Sequence, residues 1–424
     1  MKSAVFILFI LMYVLMIVFS EKRIIISSVT AVLFVILDVV HLKDVFSAID
    51  WNVLMMLSGT MGTVAFFSES KMPNRMADKL LQKTPNTMWV AIALSLFAGV
   101  ISAFVDNVAT VLMIAPVSLA IAKKTGISPV PLLISIAVSS NLQGAATLVG
   151  DTTSIMLSGY TKMNFMDFIF MDGRPSIFWG VELGAVSTIP VLMFIFADSR
   201  DKKVVVDRPV EVKDKVPAFL LLANILALIA ASFLPVRPRL INGIICISVF
   251  LIASVHSVMR TKSFRSFKDS IFEIDLETIG ILASLFIVIR GIENAGIVGD
   301  IANWFVKVGN NNLFLMYSII VWGSVVLSAF IDNIPYVATM LPIVGGISSL
   351  MGCNPYILQF GLLTGATLGG NLTPIGASAN IAAIGILRKE GYKVKNQDFF
   401  RVGIPFTLVA VISGYLFCWL VWSK

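Results

Sequence analysis

The chain has 424 residues, 57% of them hydrophobic and 13% charged, with a formal net charge of +7 and three cysteines. Soluble proteins carry about 25% charged residues, so at a mean hydropathy of +0.91 the chain lacks the polar groups to cover a water-facing surface and reads as an integral membrane protein in a lipid bilayer. Two of the cysteines, Cys246 and Cys418, lie inside apolar runs, which excludes a secreted disulfide scaffold. The positive charge marks cytoplasmic loops, not nucleic-acid binding.

In chain order, apolar stretches near the roughly 20 residues that cross a bilayer predict helices near 4–19, 24–40, 51–67, 128–158 and 177–197. A second set is predicted near 217–234, 240–258, 276–290, 355–387 and 403–421. Glu21-Lys22-Arg23, not a small-residue cleavage site, follows the first stretch, which therefore reads as a retained span and not a signal peptide. Two apolar regions, 88–121 and 312–350, are broken at their middle by Asp-Asn. Both read as re-entrant hairpins, a broken backbone tolerated only inside protein or beside water. Residues 70–84 and 162–173 fit amphipathic interfacial helices, with fainter second copies near 295–308 and 397–402.

Ten crossings and two hairpins place 23 of the 32 Lys and Arg on one side and 9 on the other. The rich side is the cytoplasm by the positive-inside rule, with both termini outside a multi-pass cell-membrane protein. Two full crossings in place of each hairpin give the same split.

The halves match at a nearly constant offset. Ser102-Ala-Phe-Val-Asp106-Asn107 returns as Ser328-Ala-Phe-Ile-Asp332-Asn333, and 7 of 15 positions agree between 102–116 and 328–342. Thr147-Leu-Val-Gly150 matches Thr373-Pro-Ile-Gly376, also 226 residues on, and Ile49-Asp50 matches Ile274-Asp275 at 225. An odd number of crossings per copy inverts the second. The expected fold is an all-α integral membrane protein of two inverted repeats, 1–197 and 217–424, joined by a cytoplasmic linker at 198–216. Each repeat has five transmembrane helices and one re-entrant hairpin, with broken helices at the centre. That plan is typical of secondary transporters.

The chemistry concentrates at the tips and the breaks. An ionised Asp at bilayer depth costs about 2.5–3.5 kcal/mol, and Asp106 and Asp332 do so at equivalent points. They are candidate coupling-ion ligands with Asn107 and Asn333; the alternative is that each only caps its second hairpin arm. The breaks are Asn141-Leu-Gln-Gly144-Ala-Ala-Thr147-Leu-Val-Gly150-Asp151-Thr152-Thr153-Ser154 and Gly369-Gly370-Asn371-Leu-Thr373-Pro374-Ile-Gly376-Ala-Ser378-Ala-Asn380. Gly and Pro at this density stop a helix. The freed carbonyls at Gly150 and Gly376, with Asp151, are candidates for a cation such as Na⁺. Asn107, Thr147, Asn333, Thr373, Ser378 and Asn380 are candidates for the solute. A Gly-rich packing seam is the bland alternative. Arg290 and Glu182 read as interfacial, His41 and His256 form no metal pair, and there is no Walker motif.

The paired Ser-Ala-Phe-x-Asp-Asn hairpins, and Gly-Gly-Asn-Leu-Thr-Pro-Ile-Gly-Ala-Ser-Ala-Asn at 369–380, resemble the ion transporter superfamily and its citrate-transporter-like (CitMHS) domain. The resemblance runs over essentially the whole chain. It is strongest to the branch with arsenical pump membrane proteins, D-type sodium/proton antiporters and the melanosomal P protein; citrate and dicarboxylate symporters are cousins. It implies a homodimer, an elevator-type transport domain and, for arsenical pumps, a separate ATPase subunit. Where the dicarboxylate branch has Ser-Asn-Thr, this chain has Asp106-Asn107-Val108 and Asp332-Asn333-Ile334, which disfavours a di- or tricarboxylate. Where the family has Gly-Asp-Pro-Pro-Asn, it has Gly150-Asp151-Thr152-Thr153-Ser154. The expectation is a secondary transporter of a small anion, arsenite or oxyanion-like, coupled to H⁺ or Na⁺. The alternative is a Na⁺/H⁺ antiporter, then a channel. No nucleophile–base pair supports an enzyme.

Overall fold

The computed structural model describes residues 2–199 and 210–423, so most of the linker lies outside the described residues. The first half runs α1 (Lys2–Val18), α2 (Arg23–Ile36), the single turn α3 (Val45–Ala48), α4 (Trp51–Glu69), α5 (Met72–Leu81), α6 (Thr87–Ser102), α7 (Asn107–Thr125), α8 (Pro129–Gly144), α9 (Thr152–Thr161), α10 (Ile177–Ser187) and α11 (Ile189–Ile195). The second half runs α12 (Val216–Ser232), α13 (Ile241–Thr261), α14 (Arg265–Phe272), α15 (Leu276–Asn294), α16 (Ile297–Val308), α17 (Leu313–Ser328), α18 (Asn333–Met351), α19 (Pro355–Gly369), α20 (Ser378–Lys389) and α21 (Asn396–Trp422).

Local chemistry sets many of these boundaries. Asp50 starts α4 by accepting from the Asn52 and Val53 amides at 3.1 and 3.2 Å, and its copy Asp275 starts α15 by accepting from Thr278 at 2.9 Å. Gly126 and Gly352, both at positive φ, end α7 and α18. The breaks fall where the Gly-rich runs lie: α8 gives way to α9 across 145–151, and α19 to α20 across 370–377.

Two expectations for short segments are corrected. Residues 162–173 contain no amphipathic helix. They form a 3-10 turn at Met166–Phe168 and the first strand of a two-residue hairpin, β1 (Phe170–Met171) paired with β2 (Arg174–Pro175), within an otherwise all-α fold. Asp172 and Gly173 take positive φ at the turn, which stops a helix there. Residues 397–402 are no separate arm but the first turns of the 27-residue α21, at whose start Asp398 accepts from the Lys395 amide at 2.9 Å. The 70–84 arm is α5, and α16 follows α15 at a bend of 73°.

Among the described residues five helices are long and apolar enough to cross a membrane: α7, the α10–α11 stretch, α13, α18 and α21. The bent α15–α16 pair makes a sixth, and five further apolar helices have 10–17 residues. The broken spans are too short in each piece to be counted this way.

The helices sort into two packed groups. In one, α4 lies along α13 and α15 along α2, so each half lends a helix to the other. In the other, α8 and α19 are central. Every residue from 132 to 144 and from 357 to 369 is buried, the signature of a helix with neighbours on all faces. Around them pack α6, α7, α17, α18, α20 and α21.

Candidate functional site

The two Asp-Asn tips and the two breaks meet. Thr147 donates its hydroxyl to the Ala103 carbonyl at the first tip, and Thr373 donates to the Ala329 carbonyl at the second, at 2.5 Å. Each tip is therefore stapled to the break of its own half. The glycines make this approach feasible. A Cβ on Gly150 would stand 2.6–2.7 Å from the Gly144, Ser102 and Ala103 carbonyl oxygens; one on Gly376 would stand 2.5 Å from that of Gly370 and 2.9 Å from that of Ala329.

Asp106 accepts from the Val108 and Ala109 amides at 2.9 and 3.2 Å, and Asp332 from the Ile334 amide at 3.0 Å. Both Asp cap a helix and also line a cavity. Asn107 donates to Asn141 Oδ1 at 2.9 Å and accepts on its carbonyl from Ser140 at 3.1 Å. Asn333 accepts from Ser328, which also reaches the Ala366 carbonyl.

The cavity measures about 630 Å³. Of the candidate residues, Asp106, Asn107, Asp151, Asp332, Asn333 and Ser378 line it. Thr147 and Thr373 do not, because their hydroxyls are used in the staples. Gly150 and Gly376 do not line it either. Asn380 is buried, donating to the Gly370 and Thr373 carbonyls at 3.0 and 3.1 Å. A recess of about 10 Å³, the space of one small ion or water, opens between Asp106, Asp151, Gly150, Thr152 and Thr60.

Residues beyond those candidates complete the lining: Asn141, Thr152, Thr278 and a run of acids, Glu69, Asp269, Glu273 and Asp275. Among the described residues seven carboxylates line this cavity and no Lys, Arg or His does. The Ile-Asp repeat marks Asp275 only as a register point, and the other acids of that run carry no motif. One cation reaches in from outside the lining: Arg23 Nη1 donates to Asp332 Oδ2 at 2.8 Å. Among the described residues Asp106 and Asp151 form no ion pair. Thr153 donates to Asp151 at 2.7 Å.

Broken helices around a polar central cavity in a helical multi-pass membrane protein are the plan of many secondary transporters. The chain belongs to the citrate transporter family, CitMHS, of the ion transporter superfamily, whose profile matches residues 13–365. It is 29% identical to the uncharacterized transporter Rv2684 of Mycobacterium tuberculosis over 97% of both chains. It is 26% identical to the human P protein, covering 91% of this chain and 55% of that one. The YdaH transporter of Alcanivorax borkumensis shares the fold at a TM-score of 0.61 and 12% identity, over 89% of this chain and 87% of that one. MtrF of Neisseria gonorrhoeae, described as an antimetabolite efflux pump, does so at 0.57 and 14%, over 92% and 84%.

Proposed function

We propose that this chain is a cation-coupled transporter working by alternating access between two inverted repeats, and that it exchanges Na⁺ for H⁺ in preference to carrying an oxyanion. The observation that carries this reading is a pair of cavities at opposite ends of α4 and α15. The 630 Å³ cavity is lined by Met61, Val64, Ala65 and Ser68 of α4 and by Asp275 at the start of α15. A second cavity, of about 190 Å³, is lined by Phe286, Ile289, Arg290 and Glu293 of α15 and by Asp50 at the start of α4. Each residue of one set stands 225 positions from its counterpart in the other. The same mouth thus occurs twice, wide at one end and narrow at the other. The narrow mouth closes where α9 meets α4; a Cβ on Gly159 would stand 2.6 Å from Val53. The corresponding pair, α20 and α15, makes no comparable contact among the described residues.

The wide mouth contains Asp269 and Glu273, from the stretch that the positive-inside reading puts in the cytoplasm, so this state is open inward with both termini outside. Tips stapled at the depth of the breaks support re-entrant hairpins. The lining favours a cation: an anion would enter a cavity of seven carboxylates with a single guanidinium, Arg23, at its edge and already paired to Asp332, while a small hard cation suits carboxylate, carbonyl and hydroxyl oxygens. The recess between Asp106 and Asp151 is the assigned cation site. A second reading, uptake of an uncharged hydroxylated solute such as arsenous acid, is favoured by Asn107, Asn333, Thr152 and Ser378 in the same cavity. The elevator motion and the homodimer of the cousins are part of this proposal.

The test uses purified protein in liposomes with a trapped pH dye. A Na⁺ gradient should drive a pH change that Asp106→Asn abolishes. An arsenite flux without any Na⁺-driven pH change would instead support the second reading, and a solute flux that no gradient can concentrate would point to a channel.

A further inference from the structure

The two half-sites, equivalent by repeat, differ in charge. The first has Asp106 at the tip and Asp151 at the break, with no cation in ion-pair reach among the described residues. In the second, the counterpart of Asp151 at offset 226 is Ala377, and the tip carboxylate of Asp332 is held by Arg23, whose side chain and that of its partner are 25% and 20% exposed. The first half therefore has two carboxylates and no cation; the second has one carboxylate and one guanidinium.

Arg23 is the first residue of α2, and its place has a counterpart that can be read from packing. Ser28 of α2 bonds to Ser284 of α15 at 3.0 Å. The counterpart of Ser284 is Gly59 of α4, where a Cβ would run into the Cys246 carbonyl carbon of α13. Ser28 thus corresponds to Cys246, and five residues earlier Arg23 corresponds to Ile241. The position that holds a guanidinium over one tip holds an aliphatic side chain in the other copy.

We infer that Arg23 is a tethered cation that fills the second half-site, so that only the Asp106–Asp151 half takes an exchangeable ion. This rests on the cation reading above and deepens it: the number of ions per cycle is set by Arg23. An isolated carboxylate at this depth is costly unless paired. Arg23 does the pairing with a group that cannot dissociate from the chain. Arg23 belongs to the α2–α15 group and Asp332 to the group around α8 and α19, so the bond also joins the two groups in this inward-open state.

The experiment counts ²²Na⁺ bound per chain by scintillation proximity on purified protein, with size-exclusion profiles for folding. Arg23→Gln is expected to gain one ion over the wild type, because Asp332 is then unpaired and needs a counter-ion. Arg23→Lys should keep the wild-type count. Arg23→Gln with Asp332→Asn should lose the gained ion and, by removing both charges, stay folded even if the single variant does not. No gain in folded Arg23→Gln, or no difference between it and the double variant, would overturn the inference. The underlying cation reading fails separately, if Asp106→Asn and Asp151→Asn both keep the full wild-type count.

Discussion

Asn141 and Thr367 hold the same position in the two copies of the repeat, 226 residues apart, and they are bonded to one another: Asn141 Nδ2 donates to the Thr367 carbonyl at 2.7 Å. A residue that touches its own counterpart lies on the axis relating the copies. Asn141 also donates to Asn371 at 3.1 Å and accepts from Asn107 at 2.9 Å. Asn371 returns a bond to the Val138 carbonyl at 3.0 Å. This web ties the first tip to both breaks. Replacing Asn141 by Leu leaves a buried Asn371 oxygen and a buried Asn107 amide without partners. The expected loss is on the order of 3 kcal/mol, seen as a lower melting temperature in detergent. An unchanged melting temperature would mean that the web contributes nothing to stability.

The staples separate a structural threonine from a ligand. Thr147→Val and Thr373→Val keep the shape and remove the donor to Ala103 or Ala329. Each should cost about 1–2 kcal/mol in stability, leave the apparent cation affinity within a few-fold of wild type, and be rescued by Ser. A large affinity loss with unchanged melting would return these hydroxyls to the solute.

At Gly150 and Gly376 the prediction is steric. Alanine would push a methyl group against backbone oxygens that have no side-chain freedom to move aside. Both variants should fail to give a monodisperse protein on size-exclusion chromatography, whereas Gly385→Ala, with open space around it, should elute as wild type.

A pH prediction concerns the start of the second half. Asp214 accepts from the Val216 amide at 3.0 Å and from His256 at 3.1 Å, and pairs with Arg260. Partial burial by itself would raise this carboxyl. The Val216 amide, His256 and Arg260 outweigh that, and hold it below the usual carboxylate range. A depressed folded value means that the contribution is complete above the ordinary carboxylate range and is lost as pH falls through the lowered value. Protection of 210–216 against hydrogen exchange, taken relative to the intrinsic rate at each pH, should therefore be high at neutral pH and lost below the lowered value. Asp214→Asn should be weakly protected at both.

Sidedness is checked by labelling. A cysteine in place of Lys213 should react with an impermeant maleimide only from the cytoplasm, and one in place of Arg237 only from outside. The reverse pattern would invert the assignment of the wide mouth.

Much of this site is legible in the sequence because repetition singles it out. A motif that recurs at a constant offset with Asp-Asn inside an apolar run is costly unless something uses it, and Asp106, Asn107, Asp332 and Asn333 all face one cavity. The Gly-rich runs locate both breaks. Thr147 and Thr373 stand out as polar groups at the right place, but sequence cannot say that the Ala103 and Ala329 carbonyls occupy their hydroxyls. Arg23 reads as one loop charge among many, since its partner is 309 residues away. Asp269 and Glu273 have no motif, and only the docking of α14 beside α4 brings them to the mouth. The strand hairpin at 170–175 escapes a sequence reading because Phe, Met and Asp at helical spacing imitate an amphipathic arm.

The bond from Tyr13 to the Pro335 carbonyl, at 2.5 Å, spans 322 residues, and the Arg23–Asp332 pair spans nearly as many. At about 5–20 residues per second of synthesis, the first two helices wait roughly 15–60 s in the membrane before the segment that satisfies them leaves the ribosome. During that interval Arg23 has no native counter-charge and the Tyr13 hydroxyl has no native acceptor. Biogenesis thus has a vulnerable window set by chain order alone: a nascent chain stalled before residue 332 cannot close it.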